Sequence, residues 1–98
     1  MLYKDLAPDE DRLVGTWLNL GGRVQGDFSC DRINWLIGER LQKLSADTTG
    51  WGTLWLDSRD GRLWELTYPQ SGLHGGGPPK LELIGREAAR LKYDYGTA

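Results

Sequence analysis

One turn constrains the middle of this chain more than any other feature. Ser58-Arg59-Asp60-Gly61 lies between two arms of alternating residues. On the first arm Leu54 and Leu56 alternate with Thr53, Trp55 and Asp57; on the second, Trp64, Leu66 and Tyr68 alternate with Leu63, Glu65 and Thr67. Alternation of period two marks a strand with two unlike faces. An Asp-Gly pair suits a type I turn closed by a left-handed residue, a conformation that Gly adopts without steric cost. The pattern therefore predicts a β-hairpin. A loop of Arg59, Asp60 and Gly61 sets Leu56 opposite Trp64, Leu54 opposite Leu66 and Gly52 opposite Tyr68, which makes one face apolar. A two-residue loop would set Asp57 against Trp64, so the pattern selects the register. The wider stretch, Trp51 to Pro79, holds three of the five Trp, the only His and six of the fourteen Gly.

The rest of the chain has to complete a sheet around that hairpin. Its 98 residues make one domain with a modest core. Met1 to Asp11 reads as an acidic lead-in, either a solvated, partly frayed terminus or an acidic lip for a basic partner. Arg12 to Leu20 alternates as a strand, and Gly21-Gly22 marks a hairpin tip from which Arg23 to Gly26 pairs back. Asp27 to Ala46 reads as one long helix. Asp27 or Ser29 can cap it, and Cys30, Ile33, Ile37, Leu41 and Leu44 recur at spacings of three and four. Asp47-Thr48-Thr49-Gly50 ends it. Leu81 to Ile84 forms a last short strand and Arg86 to about Tyr93 a short helix, with residues 94–98 as a tail. The expected fold is α+β: a mainly antiparallel sheet of about five strands, one long helix across it, and a short C-terminal helix.

Composition narrows the function. The formal net charge is −2, which argues against a duplex nucleic-acid binder. No apolar run approaches the roughly 20 residues of a membrane span, and the N-terminus lacks a signal-peptide pattern. One Cys excludes an internal disulfide and fits a reducing compartment. Cys30, on the helix's apolar stripe, reads as a small core residue.

Catalytic and metal-binding patterns are fragmentary. His74-Gly75-Gly76-Gly77 spells the oxyanion-binding H-G-G-G of some lipases, but no G-x-S-x-G elbow and no second His accompany it. A zinc site needs about three or four Cys, His or carboxylate ligands, and one Cys and one His, distant in sequence, make poor material for it. Glu65 with Asp57 reads as solvated hairpin charge rather than an acid–base pair. The sequence thus predicts no enzyme, no cofactor and no metal. Gly15-Thr16-Trp17 is similar to the G-x-W opening of lipocalins, but a ligand-holding barrel needs about eight strands. A small-ligand-binding β-rich protein stays as the alternative function.

A longer resemblance carries more. Gly61-Arg62-Leu63-Trp64-Glu65-Leu66-Thr67-Tyr68-Pro69-Gln70-Ser71, continued by His74-Gly75-Gly76-Gly77-Pro78-Pro79, resembles the bacterial immunity protein 27 family. Leu13-Val14-Gly15-Thr16-Trp17 and Cys30-Asp31-Arg32-Ile33-Asn34-Trp35-Leu36 are similar to the same family. The resemblance implies a small cytoplasmic protein of a polymorphic toxin system, encoded beside a secreted toxin, which binds the toxin domain and blocks it. The partner would be that domain, met by a monomer in a 1:1 complex, with no nucleic acid and no membrane involved. An inhibitor needs a rigid surface, and tight binding concentrates in a few aromatic or charged anchors. Trp55, Glu65, Tyr68, Gln70 and His74 are the expected contact residues, with Trp35 and Glu39 as a second patch. In the expected register Trp55 and Glu65 share the hairpin face turned away from the apolar side.

Overall fold

A computed structural model describes residues 3–70 and 77–93. The hairpin forms, as strands β5 (Thr53–Asp57) and β6 (Arg62–Thr67), but its register is one residue away from the expected one. Trp55 lies opposite Trp64, Leu54 opposite Glu65 and Leu56 opposite Leu63. The loop comprises Ser58 to Gly61. Asp57 shapes it twice: its backbone oxygen accepts from the Gly61 N–H at 2.8 Å, and its Oδ1 accepts from the Arg59 N–H at 3.0 Å.

The physical reason for the shift is that both faces of the sheet are buried. On one face Trp64, Leu66 and Leu81 pack with Leu6, Ile33, Leu36 and Leu41. On the other, Leu54 and Leu63 pack with Ala89 and Tyr93. When both faces are covered, alternation no longer separates inside from outside, and the turn's own hydrogen bonds decide the register.

The same two-sided burial corrects the long helix. Helix α1 runs from Phe28 to Trp35 and continues as a π-helical turn, Leu36–Arg40, closed by the Leu41 N–H donating to the Leu36 oxygen at 2.7 Å. Asp27 caps its start by accepting from the Cys30 N–H at 3.0 Å. The chain then becomes extended, and Gln42–Ala46 is strand β4, paired antiparallel with β5. Leu41 enters the core on the α1 side, while Leu44 packs against the core on the opposite side. A spacing of three reads as helical, yet it also carries two residues to opposite faces of a strand.

The strand expected over Arg12–Leu20 is also two elements. β1 (Arg12–Val14) pairs with β7 (Lys80–Ile84), and β2 (Trp17–Leu20) pairs with β3 (Arg23–Gly26). The break falls at Gly15, whose N–H donates to the Pro79 oxygen at 2.8 Å. A Cβ there would meet Cys30 Sγ at 2.6 Å and the Pro79 oxygen at 2.7 Å, so only Gly allows the approach. The main sheet has five strands in the order β1-β7-β6-β5-β4, every pairing antiparallel. Helix α1 lies on one face, and helix α2 (Arg86–Lys92) with Tyr93 on the other. This is the α+β architecture expected, with β2 and β3 standing apart as a two-stranded arm.

The acidic lead-in is a docked strap over its described part, not a frayed end. Leu6 is buried in the α1-side core. Three guanidinium groups hold the backbone on either side of it. Arg32 donates to the Lys4 and Asp5 oxygens at 3.0 and 2.8 Å, and Arg59 to the Leu6 oxygen at 3.2 Å. Arg62 donates to the Ala7 and Glu10 oxygens at 3.1 and 3.0 Å. Arg32 also grips Glu10 with two parallel bonds of 2.7 and 2.8 Å, the strong bidentate form of the pair. That bond holds the Glu10 carboxyl below the usual glutamate range. Asp5 pairs with Arg59 at 2.9 Å and with Arg40 at 3.2 Å. Much of the lead-in's acidity is thus neutralised within the fold.

Candidate partner-binding surface

The corrected register decides which aromatic residues meet. Trp55 and Trp64 form one rung on the α1-side face, and Thr53 and Leu66 the next. Trp64 is fully buried, whereas Trp55 lies half-buried at the rim of the same core. The Trp55 indole N–H donates to Thr53 Oγ1 at 2.8 Å, which fixes the ring against its own strand. Beyond Thr53 and Leu66, Trp51 meets Tyr68 edge to face, with ring centroids 5.7 Å apart. Tyr68 packs on the core; Trp51 leaves 55% of its surface in water. Edge-to-face contact orients both rings without burying them. The exposed Gln70 follows two residues after Tyr68.

Beside the buried Trp64, three further aromatic residues of the hairpin strands and their flanks therefore gather on one side: Trp51, Trp55 and Tyr68. Sequence reasoning selected Trp55 and Tyr68 but passed over Trp51, which precedes the strand. The signal lay in the alternation, since Trp51, Thr53 and Trp55 share one parity.

Glu65 belongs elsewhere. It lies on the opposite face, accepts from the Tyr93 O–H at 2.6 Å and pairs with Lys92 at 2.5 Å. The expectation that Trp55 and Glu65 share a face fails with the register that produced it. Burial first, and the bond to Glu65 second, push the Tyr93 hydroxyl well above its ordinary range. This cluster fixes the C-terminal helix to the sheet.

Trp35 and Glu39 sit at the far end of α1. Trp35 is half-buried against the α1-side core, stacks obliquely on Tyr3 at 5.9 Å, and carries the Arg40 guanidinium 5.1 Å from its ring centre. Glu39 is exposed in the π-helical turn. His74 lies outside the described residues, as does most of its loop.

Among the described residues, no group of three or more His, Cys, Asp or Glu side chains comes together. Cys30 is buried, its thiol 3.6 Å from the Thr16 oxygen, and burial raises its pKa, so it stays a thiol. An open recess of about 420 Å³ lies between the strap and α1, lined by Asp5, Asp9, Glu10, Phe28 and Arg32 among others. Arg32 and Glu10 are already engaged with each other there. No helix among the described residues is long and apolar enough to cross a membrane.

The family model for immunity protein 27 matches residues 19–85, and the chain belongs to that family. No curated protein and no solved structure matches it. The family's general role is toxin inhibition through a cognate toxin protein. The matched span runs from the arm to the end of β7 and includes Trp51, Trp55 and Tyr68.

Proposed function

We propose that this protein binds the toxin domain encoded beside it, as a monomer in a 1:1 complex, and blocks that domain by steric occlusion in the cytoplasm of the producing bacterium. The observation that carries the reading is the arrangement of Trp51, Trp55 and Tyr68 on one side of a sheet whose core is already closed. Rings held by their own contacts lose little freedom on binding, which is how aromatic anchors become hot spots. The exposed Gln70 extends this surface, and His74 is kept as a further proposed contact. Trp35 and Glu39 flank the same core and form its second candidate patch. Glu65, engaged by Tyr93 and Lys92 on the opposite face, is left out. Nothing in this mechanism requires catalysis: the toxin is covered, not altered.

Coexpression of the chain with the toxin domain from the adjacent gene tests the proposal. Survival of the host and a complex of one copy of each protein by light scattering are the expected results. Death of the host with the chain abundant, or two proteins eluting separately, would contradict it.

A further inference from the structure

We propose that the β2–β3 arm is a second contact element, received in an apolar recess of the toxin domain that is edged with carboxylates. This inference rests on the toxin-binding reading above.

The arm holds apolar surface that the fold leaves uncovered. Among the described residues, eight large hydrophobic side chains are exposed, and five of them, Val14, Leu18, Leu20, Val24 and Phe28, fall between residues 14 and 28. Leu18 and Leu20 lie on one face of the ribbon beside Gln25 and Arg23; Val24 lies on the other beside Asn19. Leu20 is 53% exposed and Val24 66%, so neither face is closed. A two-stranded hairpin is marginal in water by itself. Here its base is fixed, by the Asp27 N–H donating to the Thr16 oxygen at 3.0 Å. Its tip is fixed by Asn19 Oδ1 accepting from the Gly22 N–H at 3.2 Å. The ends are held and the middle is bare.

Charge indicates the occupant. The arm, residues 17–26, carries one charged residue, Arg23, and no Asp or Glu, in a chain of net charge −2; Arg12, outside it in β1, already pairs with Glu82 at 3.9 Å. Pairing two arms would bring two Arg23 side chains into one interface with no carboxylate from either arm to offset them. A second copy is therefore a poor partner for the arm. A surface with apolar walls and carboxylates at the depth of Arg23 answers both parts of the arm. The tip suits insertion: Gly21 and Gly22 have φ of +63° and +90°, and nothing lies within 4 Å of where either Cβ would be. Four extended residues reach about 13 Å, enough to enter a cleft.

The test uses the full chain and the toxin domain from the adjacent gene. Three chains are compared by calorimetry: the natural one, the double variant Leu20→Ser with Val24→Ser, and Arg23→Glu. Melting is followed for each. The double variant is expected to bind roughly 30-fold more weakly or worse. Arg23→Glu should weaken binding at least about tenfold, by a slower association that added salt makes less distinct from the natural rate. Both variants should melt within a few degrees of the natural chain. Unchanged affinity in both overturns the arm's role and leaves the toxin-binding reading standing. Failure of the natural chain to bind overturns that reading and this inference with it. Affinity losses matched by equal losses of stability in both variants overturn it as well. Two further results would do the same: a dimer of the free chain that either variant dissolves, or binding of a labelled 20-nucleotide RNA that either variant abolishes.

Discussion

The five-stranded sheet and the β2–β3 arm draw on the same residue types and place them in opposite surroundings. In the sheet, Leu54, Leu63, Trp64, Leu66 and Leu81 are buried from both sides. In the arm, Leu18, Leu20 and Val24 are exposed on both sides. Burying a Leu or Val side chain is worth roughly 1.5–3 kcal/mol. The bare layer is the one that the proposal above assigns to the toxin domain. The strap sharpens the contrast. Three arginines and Leu6 hold a stretch without regular strand or helix onto the sheet, while the arm, which has regular hydrogen bonding, forms a sheet of its own.

Removing the centre of the covered layer should have the largest effect. Trp64→Ala is expected to cost about 3–5 kcal/mol, much of the stability of a domain this small, and circular dichroism should show a chain largely unfolded at 37 °C. Leu6→Ala comes next. If the strap is part of the core, its loss should cost about 2–4 kcal/mol and lower Tm by about 4–8 °C for each kcal/mol. A change below about 0.5 kcal/mol, the scale of surface substitutions, would mean that the strap only lies on the sheet.

Much of this layering was legible in the sequence, and two of the failures share one cause, burial on both faces of the sheet. The hairpin tip at Gly21-Gly22, strand β3, the last strand and helix α2 follow from turn chemistry and local pattern. The hairpin around Gly61 was legible but its register was not, because Leu54 and Trp64 are both buried on opposite faces. Strand β4 was hidden for the same reason: Leu41 and Leu44 face two different cores, and their spacing imitates a helix. The strap was illegible because its anchors are backbone oxygens, which have no signature in sequence. Of the proposed contacts, Trp55 and Tyr68 were named from the alternation, Glu65 was placed on the wrong face by the register, and Trp51, which the structure sets beside Tyr68, was not named.

The strap's polar grip gives a smaller, pH-dependent effect. Because Arg32 holds Glu10 below its ordinary range, the folded carboxyl is more acidic than the unfolded one. The pair then contributes fully above about pH 4.3, the ordinary glutamate value, and its contribution fades as pH falls through the lower folded pKa. Glu10→Gln should cost about 1–2 kcal/mol at pH 7. Its urea midpoint should approach that of the natural chain as pH is lowered below 4. A constant gap between the two midpoints would remove Glu10 from the acid sensitivity. The smallest effect is expected on the bare layer: Leu18→Ser should change stability by less than about 0.5 kcal/mol, and a larger loss would show that the arm is packed after all.

Hydrogen exchange of the chain, free and bound to the toxin domain from the adjacent gene, tests the central claim most directly. The account predicts slowed exchange on binding in residues 17–26 and around Trp51, Thr53 and Tyr68, with Arg86–Tyr93 unchanged. Protection confined to Arg86–Tyr93 and the Glu65 face, with the arm and the aromatic rungs exchanging as in the free chain, would contradict it.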